Sequence, residues 1–198
     1  LVYLQITRGA AARDFSFPEG VPPTLVGLAQ KKNILTAPAA ASGVKVVTTP
    51  DLRWARRDIK SIALLAQVLA KHVASDAGCQ EAWMVDDQGF VTEGSSSTAF
   101  IITKDGVIVT RPNSSDILPG CTRRSVIALA EQEGLRVEER AFSVAEAHVA
   151  AEAFLTSASN LVLPIVEIDG CVIGAGKPGP HATKLRALYL DFARATAI

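Results

Sequence analysis

The spacing of hydrophobic positions changes several times along the chain, and each change marks an element. Val2 to Thr7 alternates apolar and polar residues, the two-residue period of a half-buried strand. Arg8 to Pro23 is a loop with glycine, proline and mixed charge, and Thr24 to Ala29 is a second strand. Lys31 to Gly43, rich in Ala, Asn and Pro, has little periodicity and reads as a linker between domains. Val44 to Thr49 is a third strand, stopped by Pro50. From Ser61 to Ala77 the spacing lengthens. Ile62, Leu65, Leu69 and Val73 recur at steps of three and four, which predicts a helix with one apolar face, and Gly78 ends it.

Two hairpins follow. Glu81 to Val85 and Phe90 to Thr92 flank Asp86-Asp87-Gln88-Gly89, and Ala99 to Thr103 and Val107 to Thr110 flank Lys104-Asp105-Gly106. A loop from Arg111 to Gly120 leads into a helix from about Thr122 to Glu133. Arg136 to Phe142 alternates as a strand, and Ser143-Val144-Ala145-Glu146 is a capping box for a short helix. Glu152 to Thr156 is a strand. Leu163 to Ile168 and Cys171 to Ile173 flank the tight turn Asp169-Gly170. A helix from His181 to Ala195, with Leu185, Leu188 and Phe192 on one side, closes the chain. Strands and helices mix without strict alternation, which predicts a mixed α and β (α+β) fold and not a doubly wound sheet.

Composition narrows the function classes. Of 198 residues, 48% are hydrophobic, enough for a sizeable core. Twenty basic and twenty acidic residues balance to a net charge of zero, which argues against general nucleic-acid binding and against a charge-driven membrane contact. No apolar run approaches the ~20 residues of a membrane-spanning helix. Leu1-Val2-Tyr3 reads as a strand already under way, so no signal peptide is expected; the first residue is not Met, so an N-terminal portion is expected to precede it. Cys79, Cys121 and Cys171 have neither metal-ligand nor disulfide spacing. They are expected to be reduced thiols used for packing, in a cytoplasmic protein.

Candidate chemistry centres on Asp58-Ile59-Lys60-Ser61 and the apolar helix behind it. A lysine at the mouth of such a helix is expected to be partly desolvated, which favours the neutral amine. A neutral amine is a nucleophile toward an aldehyde, forming a Schiff base. Three clusters of small residues are candidate anion cups. They are Gly94-Ser95-Ser96-Ser97, Gly120-Cys121-Thr122 at a helix start, and Thr156-Ser157-Ala158-Ser159 at a strand end. Each cluster is equally a turn or a helix cap, and Glu93 by itself equally a solvated carboxylate.

Asp58-Ile59-Lys60-Ser61, Leu64-Leu65, Val68-Leu69-Ala70-Lys71 and Val91-Thr92-Glu93-Gly94-Ser95-Ser96-Ser97 together resemble the D-amino-acid aminotransferase family, among the fold-type IV pyridoxal-phosphate-dependent enzymes. Val2 to Gly9, Ile117 to Arg123 and Phe154 to Ser157 extend the resemblance over essentially the whole chain. It implies that residues 1–35 are the C-terminal part of a small N-terminal domain and 36–198 a large cofactor-binding domain. The rest of the small domain, with the usual phosphate-binding arginine, would precede Leu1. The implied cofactor is pyridoxal 5'-phosphate, bound to Lys60, which also moves the proton at the substrate α-carbon. Glu93 is implied as partner of the ring nitrogen, Leu118 as packing against the ring, and Ser96 and Ser97 as further cofactor contacts. Cys121, Thr122, Ser157 and Ala158 are implied as phosphate ligands, with Ala158 standing where the family often has threonine. Arg13 is implied as the substrate-carboxylate ligand, supplied across the interface of a homodimer. Two residues on, Phe15 replaces a frequent histidine, which opens the question of substrate range.

The implied activity is transamination between a D-amino acid and a 2-oxo acid, in a cytoplasmic protein that uses no nucleic acid, membrane or metal. The alternatives are an aminodeoxychorismate-lyase-like or amine transaminase on the same fold, or a phosphate-ligand binding protein without catalysis. The presence of both Lys60 and Glu93 argues against the last, because a binder needs neither.

Overall fold

The computed structural model describes residues 1–196. The chain forms two compact units, Leu1–Leu35 and Thr36–Ile198. In the first unit, β1 (Val2–Thr7) pairs antiparallel with β2 (Thr24–Ala29), with Val2 opposite Ala29 and Thr7 opposite Thr24. The alternating pattern therefore gives the strand it predicts, yet Val2, Leu4 and Ile6 on one side of β1 are all exposed.

The second unit is built on a nine-stranded sheet. Its first elements are α1 (Pro38–Ser42), β3 (Val44–Pro50), α2 (Leu65–Asp76), β4 (Glu81–Val85), β5 (Val91–Gly94), β6 (Thr98–Ile102) and β7 (Ile108–Thr110). Then come α3 (Cys121–Gln132), β8 (Val137–Glu139), α4 (Val144–His148), β9 (Glu152–Ser157), β10 (Leu161–Ile168), β11 (Cys171–Val172) and α5 (Pro180–Ala195). The strand order is β5-β4-β3-β10-β9-β6-β7-β8, with β11 paired to β10. β3 runs parallel to both β4 and β10, and β7 runs parallel to β8; the other pairs are antiparallel. This is the mixed α and β fold expected from the sequence.

The period of two sorts the core onto the two faces of the sheet. Ala99 and Ile101 of β6 join a cluster with Val46, Trp83, Val109, Leu155 and Ile165. Their neighbours Phe100 and Ile102 join Ile108 and Phe154, together with Val126 of α3 and Leu185 of α5. The register sets Phe100 opposite Phe154, and the two rings stack with centroids 4.6 Å apart. α4 is capped as its sequence predicts: the Glu146 amide donates to Ser143 Oγ at 3.1 Å. The cap of α5 has no local signature. The amides of His181 and Ala182 donate to the two oxygens of Glu152, at 3.0 and 2.9 Å.

Four expectations are corrected. The helix expected from Ser61 begins only at Leu65. Before it the backbone folds into local turns, with the Ser61 amide donating to Ile59 O at 2.9 Å and the Leu64 amide to Ile62 O at 3.0 Å. Its predicted apolar face is exposed, Leu65 at 71%, while the small Ala70 and Ala74 pack on Ala82 and Met84. The linker holds the one-turn helix α1, started by Pro38, which tolerates a helix start because its missing N–H would go unsatisfied there. The strand expected to reach Phe142 ends at Glu139, where the chain leaves the sheet and carries Phe142 against Trp83, ring centroids 5.8 Å apart. The cysteines are not all packing residues: Cys79 is half-buried, but Cys121 and Cys171 are exposed. Among the described residues, no helix is long and apolar enough to cross a membrane, and no cluster of His, Cys, Asp or Glu is placed to hold a metal.

Candidate active site

A cavity of about 730 Å³ opens in the second unit where the turn before α2, the end of β5, the start of α3 and the end of β9 converge. Lys60, Glu93, Ser96, Ser97, Leu118, Cys121, Thr122, Ser157 and Ala158 all line it. Nine residues picked from separated stretches thus share one wall. Arg13 and Phe15 belong to the first unit, in the loop between β1 and β2. There the Arg13 guanidinium lies 5.4 Å from the Phe15 ring centroid, and Phe15 is 95% exposed.

Lys60 sits in the turn segment ahead of α2 and is exposed, not partly desolvated as expected, because the apolar face behind it is itself exposed. Glu93, near the end of β5, is 5% exposed. Gly94 follows it, and a Cβ there would displace the Ser97 hydroxyl. Glu93 receives Nη1 of Arg53 on Oε1, and the Leu118 amide at 3.2 Å from Oε1 and 3.3 Å from Oε2. Burial pushes its carboxyl above the usual carboxylate range; Arg53 and the Leu118 amide oppose the rise without cancelling it.

The serine run serves a second carboxylate. Ser96 Oγ and Ser97 Oγ donate to Oε2 of buried Glu81 at 2.9 and 3.0 Å, and Ser95 Oγ donates to its Oε1. Lys71 of α2 approaches the same Oε1 at 3.3 Å. The Ser96 and Ser97 hydroxyl protons are therefore committed to Glu81, and what these residues offer the cavity is backbone. Ser157 Oγ accepts the Asn160 amide at 3.1 Å. Its other contact, with Ser159 Oγ, is long at 3.4 Å, which leaves its proton available to a better acceptor.

The start of α3 is open. Its N-cap is Gly120, which makes no side-chain cap bond, so the first-turn amides and the helix dipole face the cavity rim without a side-chain acceptor from the cap. Thr122, 2% exposed, has a buried Oγ1 with no hydrogen-bond partner, and so has Thr156 at the end of β9. Buried hydroxyls are normally paired. Two orphans lining one cavity beside an uncapped twelve-residue helix form an acceptor-seeking cup of the kind a phosphate fills. An amine, a buried carboxylate and this cup make up the donor set that pyridoxal 5'-phosphate requires, and the residues fit it.

The model of the amino-transferase class IV family matches residues 1–168. The chain belongs to the class IV aminotransferases. It is 41% identical over 182 residues to the D-alanine aminotransferase of Bacillus licheniformis, covering 90% of this chain and 62% of that protein. To the D-alanine aminotransferase of Staphylococcus epidermidis it is 37% identical over 198 residues, covering 100% of this chain and 69% of that one. The chain thus spans roughly two thirds of the length of these relatives. Among solved structures, it superposes on a T.th. branched-chain amino acid aminotransferase with pyridoxamine 5'-phosphate at a TM-score of 0.85, with 30% identity, covering 96% of this chain and 64% of that one. The branched-chain amino acid aminotransferase of Thermobaculum terrenum in its PLP form gives a TM-score of 0.81, with 27% identity and 98% and 64% coverage.

Sequence reasoning missed Arg53 and Glu81, which shape the cavity and its walls, and named Thr156 only within a candidate anion cup. Arg53 lines the cavity and pairs with both Asp51 and Glu93. Its only sequence signal is a basic residue seven positions before Lys60. Glu81, the acceptor of the serine run, reads as the ordinary start of a strand. Thr156 stands out only as part of a small-residue cluster, and nothing local marks its hydroxyl as unpaired.

Proposed function

We propose that this chain is part of a pyridoxal-phosphate-dependent transaminase that moves an amino group between a D-amino acid and a 2-oxo acid. One observation carries the reading. Lys60, Glu93 and the open start of α3, with the orphaned Thr122 hydroxyl, line the same cavity. Family membership and the D-alanine aminotransferase relatives support it.

The cofactor of this family is pyridoxal 5'-phosphate, which supplies an aldehyde to receive the amino group and a ring that withdraws electrons from the substrate α-carbon. The Cys121 and Thr122 amides, the Thr122 and Thr156 hydroxyls, Ser157 and the Ala158 backbone would hold the phosphate. Leu118 would pack against the cofactor ring, and the Glu93 carboxylate would pair with the ring nitrogen and keep it protonated. Lys60 would hold the cofactor through its amine and, once freed, would carry the proton between the substrate α-carbon and the cofactor C4'. Arg13, from a second copy of the chain in a homodimer, binds the substrate carboxylate through two parallel hydrogen bonds. Residues 1–35 belong to a small domain and residues 36–198 to the cofactor-binding domain, in a cytoplasmic protein.

The test is a screen of D- and L-amino acids with 2-oxoglutarate, run on protein that shows the visible absorbance of bound cofactor. Pyruvate from D-alanine, and none from L-alanine, is expected. Turnover of L-amino acids alone would overturn the D-assignment, and colourless protein that takes up no cofactor would overturn the whole reading. A second reading, an amine transaminase, is favoured by Phe15, which brings apolar surface and no donor to the proposed carboxylate site. Turnover of a simple chiral amine at a rate above D-alanine would select it.

A further inference from the structure

Glu93 does not stand alone at the back of the cavity. Behind it lies Arg53, and behind Arg53 lies Asp51, whose side chain is fully buried. The Arg53 guanidinium grips Asp51 as a fork, Nε to Oδ1 at 2.9 Å and Nη2 to Oδ2 at 2.7 Å. That leaves Nη1 to reach Glu93 Oε1. The Thr92 hydroxyl donates to Asp51 Oδ2 at 2.7 Å, and Arg57 Nε lies 3.3 Å from the same oxygen while its Nη1 reaches Asp116 at 3.4 Å. Burial works to raise the Asp51 carboxyl, but hydrogen bonds from Arg53 and Thr92 hold it below the usual range, so it is an anion. Arg53 lines the cavity and Asp51 does not.

We propose that Asp51 and Arg53 form a counter-charge pair behind Glu93 that sets how tightly the site holds the proton on the cofactor's ring nitrogen, with Asp51 acting as a positioning residue through Arg53. The inference rests on the pyridoxal-phosphate reading above. Glu93 Oε1 already serves Arg53 and the shorter arm of the Leu118 amide, so Oε2, with only the 3.3 Å arm, is the oxygen with capacity for a ring N–H. A guanidinium this close to Glu93 also repels the positive charge of a protonated ring. Left unbalanced, Arg53 would neutralise Glu93 and drive the ring proton off. Asp51 fixes the guanidinium and cancels its charge, so that Glu93 still presents a net negative charge to the ring.

The signs of the two changes are therefore opposite. Asp51→Asn leaves Arg53 uncompensated and should weaken proton binding at the ring nitrogen. Arg53→Met removes the repelling cation and should strengthen it. Each change should be about tenfold or more in the proton-binding constant, given unit charges a few ångströms apart in a partly buried site. The double variant restores the charge balance and should titrate close to wild type.

The readout is the ring-nitrogen NMR resonance of ¹⁵N-labelled cofactor in the holoenzyme, titrated with pH, with kcat and KM for D-alanine alongside. Thr92→Val is the structural control: it removes one hydrogen bond from Asp51 but no charge, and should leave the titration unmoved. Opposite shifts cancelling in the double variant support the proposal. Equal-sign or additive shifts, no shift in either single variant, or a shift in Thr92→Val as large as in Asp51→Asn would overturn it. Should Asp51→Asn not fold, the direction of the Arg53→Met shift decides alone. Glu93→Gln separates the proposal from its foundation. If the ring proton survives Glu93→Gln, the assignment of Glu93 fails. If it is lost there but unmoved by changes at Asp51 and Arg53, only the counter-charge pair fails.

Discussion

Thr122→Val replaces one hydroxyl by a methyl at nearly constant volume, keeps the β-branched shape, and sits one residue into α3, so it disturbs little else. Thr122 Oγ1 is buried and has no partner within the chain. Without cofactor the variant therefore loses no hydrogen bond and sheds a buried polar group that costs roughly 1–3 kcal/mol when unpaired. The cofactor-free protein should melt at an unchanged or slightly higher temperature. With cofactor the balance reverses. A hydrogen bond to a charged phosphate contributes about 1.5–3 kcal/mol, and each ~1.4 kcal/mol is tenfold in affinity. The dissociation constant for pyridoxal 5'-phosphate should rise roughly ten- to a hundredfold. Pyridoxal, which lacks the phosphate, should bind wild type and variant alike. The assay is a fluorescence titration of cofactor-free protein with both ligands, alongside a thermal melt. An equal loss for both ligands, or a destabilised cofactor-free protein, would refute the reasoning, because Thr122 would then be a packing residue and not a phosphate ligand.

Three further outcomes follow from the same geometry. Lys60→Ala should abolish transamination and borohydride fixation of the cofactor while leaving the fold intact by circular dichroism, since Lys60 is exposed and contributes nothing to the core; near-normal turnover would exclude it. Arg13→Ala should raise KM for D-alanine strongly and leave a simple chiral amine nearly unaffected in steady-state kinetics; an equal effect on both substrates would show that Arg13 does not read the carboxylate. Asp86, against Arg111 Nη1 at 2.7 Å, has its carboxyl held low: burial would raise it, but the hydrogen bond from Arg111 and the local amides prevail. Its stabilising contribution is present above the ordinary carboxylate range and is lost as pH falls toward its lowered native pKa. Melting temperature between about pH 7 and 3 should therefore fall less steeply in Asp86→Asn than in wild type, and parallel curves would count against it.

Legibility divides along the range of the interaction. A strand with a period of two, such as Val2 to Thr7, is readable because the signal lies within a few residues. The same is true of the Ser143 cap, where the acceptor and its amide are three residues apart. The apolar stripe on α2 gives the right element but the wrong environment. Periodicity reports that a helix has an apolar face, not whether this chain covers it, and here Ala70 and Ala74 face the core while Leu65 does not. The residues gathered around the cavity are reached through resemblance, since no local pattern brings Lys60, Glu93 and Thr122 together. Arg53 escapes because its meaning lies in two partners, and one of them, Glu93, is 40 residues away. Glu81 escapes for the same reason, being 14 to 16 residues from the serines it binds.

The Glu81 cluster constrains how this sequence can drift. Glu81 and its serines form a mutually dependent set: replacing the carboxylate strands the buried Ser95 and Ser97 hydroxyls together, while exposed Ser96 can turn to water, and replacing a buried serine leaves a buried anion short of a donor. Single changes at Glu81, Ser95 and Ser97 should be poorly tolerated, while their simultaneous apolar replacement should be far milder than the sum of its parts. In a saturation library these three would score as one epistatic block. The charge of Lys71 would belong to that block too, although its sequence position suggests nothing more than the solvated side of a helix.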